Sequence, residues 1–488
     1  MSAPAVVFGL YFALVFALGW VSLRRTRSEG DYWIAGGSLG WLVGGATLAA
    51  THTSAGTFIG TIGIMHGSGW SFGWLVLSIP LAYWFMAAVL APRFTRVREL
   101  TLPAFLERRY GTRRIRALGA VIILVATVVY VQAQIVAGGL VAGAVFGIPE
   151  EVGMVAFTVV LLVYTTIGGM LAVAYTDLLQ LVVMAAGVAL ALPVAIGHVG
   201  GLDALFAAVQ GVNPGTFEWG AFPASALFTM GIAFMLGSAS SPAQLVRLYA
   251  MRDMRTIRRG VLFAVLLITA INLMVFMLAL VSPVLFPALP TGDLAMPMLA
   301  RTLLPPVLAA IMLAALTSAM MSTVDSLLLV AGSALSHDIY GSLRPSGSQR
   351  TALWLGRLGI VVVGIAPVLL LLSGVGRGEL VQFIVLLFTA LMASSFFVPV
   401  VAGVFWARAA EPAAVAAMLG GLGATFAWKL WGSEVVDPVL PGFLTSLVLM
   451  VTVSLAMAPP PGDPLAPYRP AGPRGAAGTT DRPPYSGA

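Results

Sequence analysis

Cysteine is missing from all 488 residues, which excludes a disulfide framework, thiolate catalysis and any Cys-bound zinc or iron–sulfur centre. Charge is scarce too. Asp, Glu, Lys and Arg make up 9% of the chain, against roughly 25% in soluble domains. So few charges cannot cover the surface of a soluble protein this long, which excludes a soluble multidomain enzyme. Lysine occurs once, at Lys429, so every other basic residue is arginine. Walker, Rossmann and zinc-helix patterns are absent, leaving ATP-driven transport and redox chemistry without sequence support. The internal loops reach roughly 20 residues, too few for a soluble domain of their own.

What the chain has is apolar length. Hydrophobic residues make up 59%, gathered into runs near the ~20 residues that cross a bilayer as a helix. The runs lie near 5–22, 40–66, 71–92, 115–147, 152–170, 174–198, 222–246, 259–283, 297–334, 352–374, 378–404, 411–430 and 438–457. They predict an all-α integral membrane protein with about 13 transmembrane helices. The first run ends in Arg24, Arg25 and Arg27, the reverse of a cleaved signal peptide, and reads as a retained helix. Arginine then marks alternate loops: eight between Arg93 and Arg116, five between Arg247 and Arg259, then Arg344, Arg350, Arg357 and Arg408, and the tail's Arg469, Arg474 and Arg482. By the positive-inside rule these loops are cytoplasmic, the N-terminus is outside and the C-terminus inside, in a cell inner membrane or plasma membrane. From Ala458 to residue 488 the composition turns Pro-, Gly- and Ala-rich, which predicts a disordered cytoplasmic tail.

Two spans are interrupted. Thr51-His52-Thr53-Ser54 followed by Ala55-Gly56-Thr57 breaks the second, and Gly237-Ser238-Ala239-Ser240-Ser241-Pro242 breaks the seventh. If spans 2–6 and 7–11 are two five-helix units, each break falls in the first helix of its unit. Five is odd, so the units are inverted. Broken helices in corresponding positions of inverted halves point to a secondary transporter's binding site. The organisation expected is a first helix at 5–22, a first repeat at 40–199, an inverted second repeat at 222–404 and two further helices at 411–457, together a transporter domain over 1–457. Span 9 adds five hydroxyls and a carboxylate within Thr317–Ser326, more oxygen than helix back-bonding accounts for. Neutral hydroxyls and carbonyls suit a weakly held monovalent cation.

The stretch Thr166-Ile167-Gly168-Gly169-Met170-Leu171-Ala172-Val173-Ala174-Tyr175-Thr176-Asp177-Leu178-Leu179-Gln180 resembles a motif of the sodium:solute symporter family. So do Asp31-Tyr32-Trp33 with Gly36-Gly37-Ser38, Leu102-Pro103 with Arg109-Tyr110, Pro242 through Arg247, Ala319 through Thr323, and His337-Asp338-Ile339-Tyr340, all in the family's order. The resemblance implies a LeuT-type core of two inverted five-helix repeats that couples inward sodium movement to solute uptake by alternating access. It places the co-transported sodium ion at Ala50, Thr53, Ala319, Ser322 and Thr323, and an ion-path carboxylate at Asp177. An N-cap role is the plainer reading of Thr176-Asp177. Asp325 either helps attract sodium or pairs with a cationic loop.

The substrate positions are His52, Ser54 and Thr57 at the first break, with Ser238 and Ser241 at the second. Sugar-carrying relatives place large polar side chains where Gly56 and Thr57 stand, and proline-type members an acid where His52 stands. The stretch around them looks closer to pantothenate and monocarboxylate members. Free amides near Ser54–Thr57 at a broken helix would favour a carboxylate. His52 either contacts that solute or bonds a neighbouring carbonyl. Proton coupling in the same fold, or a membrane sensor built on this core, are alternative readings. The partners expected are a small-molecule substrate and membrane lipid, with no nucleic acid.

Overall fold

In a medium without water, backbone groups must be satisfied within their own segment, so the apolar runs fold as helices. The computed structural model describes residues 3–23, 29–97, 99–218, 221–344, 347–433 and 435–468. Arg24, Arg25, Arg27, Arg98 and the tail arginines lie outside these residues. The helices are α1 (Ala3–Leu23), α2 (Trp41–His52), α3 (Gly56–Val97), α4 (Leu102–Tyr110), α5 (Arg113–Phe146), α6 (Glu150–His198), α7 (Ala224–Ser240), α8 (Pro242–Ala250), α9 (Met254–Leu285), α10 (Ala295–Leu303), α11 (Pro306–Leu343), α12 (Gln349–Leu372), α13 (Val381–Phe405), α14 (Glu411–Trp431) and α15 (Val439–Ala456).

Ten helices among the described residues are long and apolar enough to cross a membrane, where the sequence predicts thirteen. The difference has three local causes, the first being that the apolar part of α1, Val6–Ser22, falls short of a full span. Two expected spans run on as α3, which turns at Gly69 with φ 69° and no intervening loop. Two more run on as α6, interrupted at Gly169 by φ 67° and ψ 178°, a left-handed conformation that favours glycine. There a Cβ would press on the Tyr32 ring. The two polar interruptions are breaks, as expected. Thr53 leaves the helix at φ −79°, ψ 84°, and Ser241 at φ −65°, ψ 122° ahead of Pro242.

Burial separates helices that hydropathy does not. The apolar stretches of α11 and α13 are 78% and 83% buried inside the protein, those of α14 and α15 33% and 28%. Small residues in α11 allow this close approach, and Gly332 packs against the Gly356 carbonyl of α12.

Contacts sort the loops onto two faces. On one, Arg116 pairs with Asp338 and Glu107, Arg109 donates to the carbonyls of Gly403 and Trp406, and Arg408 donates to Leu455. Leu39 bridges to Met251 on the same face. On the other, Arg377 pairs with Glu151, Lys429 with Glu379, and Asp293 with the amide of Val381. Part of the segment expected to be disordered is folded: Tyr468 is buried with its ring 5.7 Å from Phe105. An aromatic ring outweighs the Pro-rich composition around it. Residues 469–488 lie outside the described part.

Candidate functional site

The first break leaves backbone carbonyls at the end of α2 facing the middle of α11. Ser322 Oγ donates to the Ala50 carbonyl at 3.0 Å and the Ala319 carbonyl at 3.3 Å. Thr323 Oγ1 donates to the Thr51 carbonyl at 3.2 Å and the Ala319 carbonyl at 3.1 Å. Four of the five predicted sodium residues therefore meet in one fully buried cluster. The fifth, Thr53, is equally buried, and its hydroxyl has no partner. The donor set is all oxygen and uncharged, and rotating two hydroxyls turns lone pairs toward a cation, as a hard monovalent ion requires.

Asp177 is not a helix cap. It lies eight residues past the Gly169 break, inside α6 and fully buried, while Thr176 back-bonds to the Ala172 carbonyl. Its Oδ2 accepts from Thr47 at 2.5 Å and lies 3.5 Å from the Arg247 guanidinium. Arg247, also fully buried, donates to Thr47, Ser326 and the Ala243 carbonyl, joining α8 to α2 and α11. Asp325 accepts from Thr165 and not from a cationic loop.

All five predicted substrate residues line one cavity of about 760 Å³, its open mouth included. His52, Ser54 and Thr57 come from the first break, Ser238 and Ser241 from the second. The His52 ring packs edge-on to Tyr83 at 5.6 Å. Among the described residues no charged side chain lines the cavity. Phe72, Phe234, Phe276 and Phe388 give it an apolar wall, and Tyr130 stacks on Phe388 at 4.4 Å.

The free amides expected after the first break are occupied. Gln134 Oε1 takes the Ala55 N–H at 3.0 Å, Ser54 Oγ that of Gly56 at 3.0 Å, and the Ser54 carbonyl that of Thr57 at 3.0 Å. Residues not singled out from the sequence complete the lining. Tyr130 donates to Ser54 at 3.1 Å, and Gln244 and Gln382 carry buried side-chain oxygens without partners. Part of the signal was available, because Gln382, like Asn272 on α9 which also lines the cavity, is an isolated polar residue in an apolar span, and such residues mark sites by default.

The profile of the sodium:solute symporter family matches residues 32–421. The high-affinity proline transporter PutP of Bacillus subtilis is 29% identical, over 91% of this chain and 96% of its own. The sodium/pantothenate symporter of Escherichia coli is also 29% identical, over 90% and 93%, so overall similarity does not separate the two solutes. A Na+-coupled sialic acid symporter, solved substrate-bound and outward-open, superposes with a TM-score of 0.81 at 21% identity, covering 94% of this chain and 99% of that one, and shares the fold. With two broken helices, a buried oxygen cluster and a cavity between them, the chain belongs to the sodium:solute symporter family, multi-pass membrane transporters with a LeuT-type core that couple sodium to the uptake of a small solute.

Proposed function

We propose that sodium binds at Ala50, Thr53, Ala319, Ser322 and Thr323, that Asp177 serves its path, and that a small carboxylate-bearing solute occupies the cavity at His52, Ser54, Thr57, Ser238 and Ser241. One observation carries this reading. Residues 50–54 serve both places, since the Ala50 and Thr51 carbonyls meet the α11 hydroxyls while Thr51, His52 and Ser54 line the cavity. An ion that orders this segment thereby orders the solute pocket, and linkage makes the effect reciprocal. The transporter domain extends over residues 1–457, with repeats at 40–199 and 222–404. The arginine-bearing face is cytoplasmic.

A carboxylate is supported by the relatives, whose named solutes proline and pantothenate both carry one. It meets hydroxyls and carboxamides here and no cation. Pantothenate or another monocarboxylate is preferred to proline because proline-type members carry an acid where His52 stands. The test is uptake by purified protein in proteoliposomes, with pantothenate, proline and short monocarboxylates offered under a sodium gradient or a proton gradient alone. Accumulation of one of them under the sodium gradient is the expected result. Accumulation under the proton gradient alone would reassign the coupling ion, and accumulation of none of the three under either gradient would remove the carboxylate.

A further inference from the structure

At the end of the cavity remote from the arginine-bearing loops, three segments meet: the first turns of α3, the start of α13, and residues 292–294 between α9 and α10. Asp293, 3% exposed, accepts the Val381 amide with Oδ2 at 2.8 Å and so caps the first turn of α13. Its Oδ1 has no partner and lies against Gly63, where a methyl group would overlap it. Gly292 touches the Gly63 carbonyl so closely that no Cβ fits. A Cβ on Gly60 would stand 2.7 Å from the Gln382 backbone nitrogen. The residues just inside this junction are cavity wall: Thr57 and Thr61 on α3, Gln382 and Val385 on α13.

We propose that Asp293 is a positioning residue for transport, the latch that holds this end of the cavity shut by fixing the start of α13, with Gly60, Gly63 and Gly292 letting the three backbones close around it. Entry from this face needs α13 and α3 to part. The carboxylate then leaves the Val381 amide, and water takes both groups. Capping here joins elements that the sequence separates by 88 residues, so it acts on the opening itself and not on the stability of one helix.

The inference rests on reading the cavity as the solute pocket, but its test needs no solute. Because the chain has no cysteine, Thr61→Cys gives a single thiol behind the latch, and Ala288→Cys, on the exposed part of the same loop, reports which membrane face that loop occupies. A membrane-impermeant methanethiosulfonate is applied to cells and to inside-out vesicles. On the face that labels Ala288→Cys, Asp293→Ala and Gly63→Ala should each label Thr61→Cys about five- to tenfold faster than the parent, the shift expected for one lost cap. Asp293→Asn keeps an acceptor and should stay near the parent rate at about pH 5, where the closed parent holds its proton. The two opening variants act differently, one by removing the cap and one by displacing it. Labelling of Ala288→Cys in each background shows that the variant is inserted. Parental rates in both opening variants would overturn the latch and leave the solute reading intact. Failure of every offered solute to protect Thr61→Cys would overturn the solute reading and leave the latch intact.

Discussion

Ser322 and Thr323 differ from their neighbours on α11 in what they face. Thr317 back-bonds within its own helix, to the Leu313 carbonyl at 3.0 Å, while Ser322 and Thr323 also reach across to α2. Ser322→Ala with Thr323→Ala should therefore raise the sodium concentration for half-maximal uptake, and Thr317→Ala should not. The loss of one hydrogen bond to a charged group costs ~1.5–3 kcal/mol, so each change should shift it by roughly ten- to a hundredfold. Equal sodium dependence in all three variants would reduce the two hydroxyls to helix packing. Arg247 tests a different kind of contact. With its guanidinium and Asp177 both wholly buried, Arg247→Ala leaves an unpaired carboxylate and should cost ~3–5 kcal/mol of stability, whereas removing both charges with Arg247→Met and Asp177→Asn should cost much less. Thermal unfolding of the purified variants measures the difference, and an additive loss would show that the pair is not coupled.

At the scale of elements, the junction of α3, α13 and the 292–294 loop carries a pH dependence with a definite sign. Burial, with the Glu150 charge adding to it, pushes the Asp293 carboxyl up to about 7. In the open state the exposed group returns toward its ordinary value near ~4. The closed state thus holds a proton that the open state releases, so closure is strongest below about pH 4 and weakens as pH rises toward 7. The other charged or titratable groups on the described segments that meet here are His66 on α3, which meets Ser282 at 3.0 Å, Arg301 on α10, and Arg377 and Glu379 ahead of α13, paired with Glu151 and Lys429, while the first turns of α13 carry no titratable side chain. Labelling of Thr61→Cys, normalised to Ala288→Cys at each pH, should rise between about pH 5 and 7 in the parent and stay flat in Asp293→Asn. A rise retained in the asparagine variant would place the titration elsewhere. None of this was legible in the sequence, where Asp293 is one acid in a loop. The breaks were legible, because a polar run inside an apolar span and a Ser-Ser-Pro triplet are local signals. The occupied amides were not: Gln134 lies 79 residues from Ala55, and nothing local marks that such a partner exists. The motif singles out Asp177, but its partners Thr47 and Arg247 come from distant segments that nothing local marks.

For the whole molecule, the fold explains why a count of arginines carries topological information. The arginine-bearing loops share a face on which Arg116 pairs with Asp338 and Arg109 is tied to backbone carbonyls. Arg377 and Lys429, which lie outside those loops, sit on the opposite face and are matched by Glu151 and Glu379. The matching is not what sets orientation, because acidic residues contribute little to the positive-inside bias. What sets it is number, since the segments 93–116 and 247–259 hold half of the 26 basic residues and flank the two broken helices. Reporter fusions in those two loops should therefore read cytoplasmic, and a fusion within 200–220 external. Moving charge should move the outcome: replacing the exposed Arg252, Arg255 and Arg258 by glutamine should weaken the cytoplasmic signal of that loop more than replacing the tail's Arg469, Arg474 and Arg482. An external signal from the native 93–116 loop would invert the assignment, placing Asp293 and its junction on the cytoplasmic side and making the latch an exit gate instead of an entry gate.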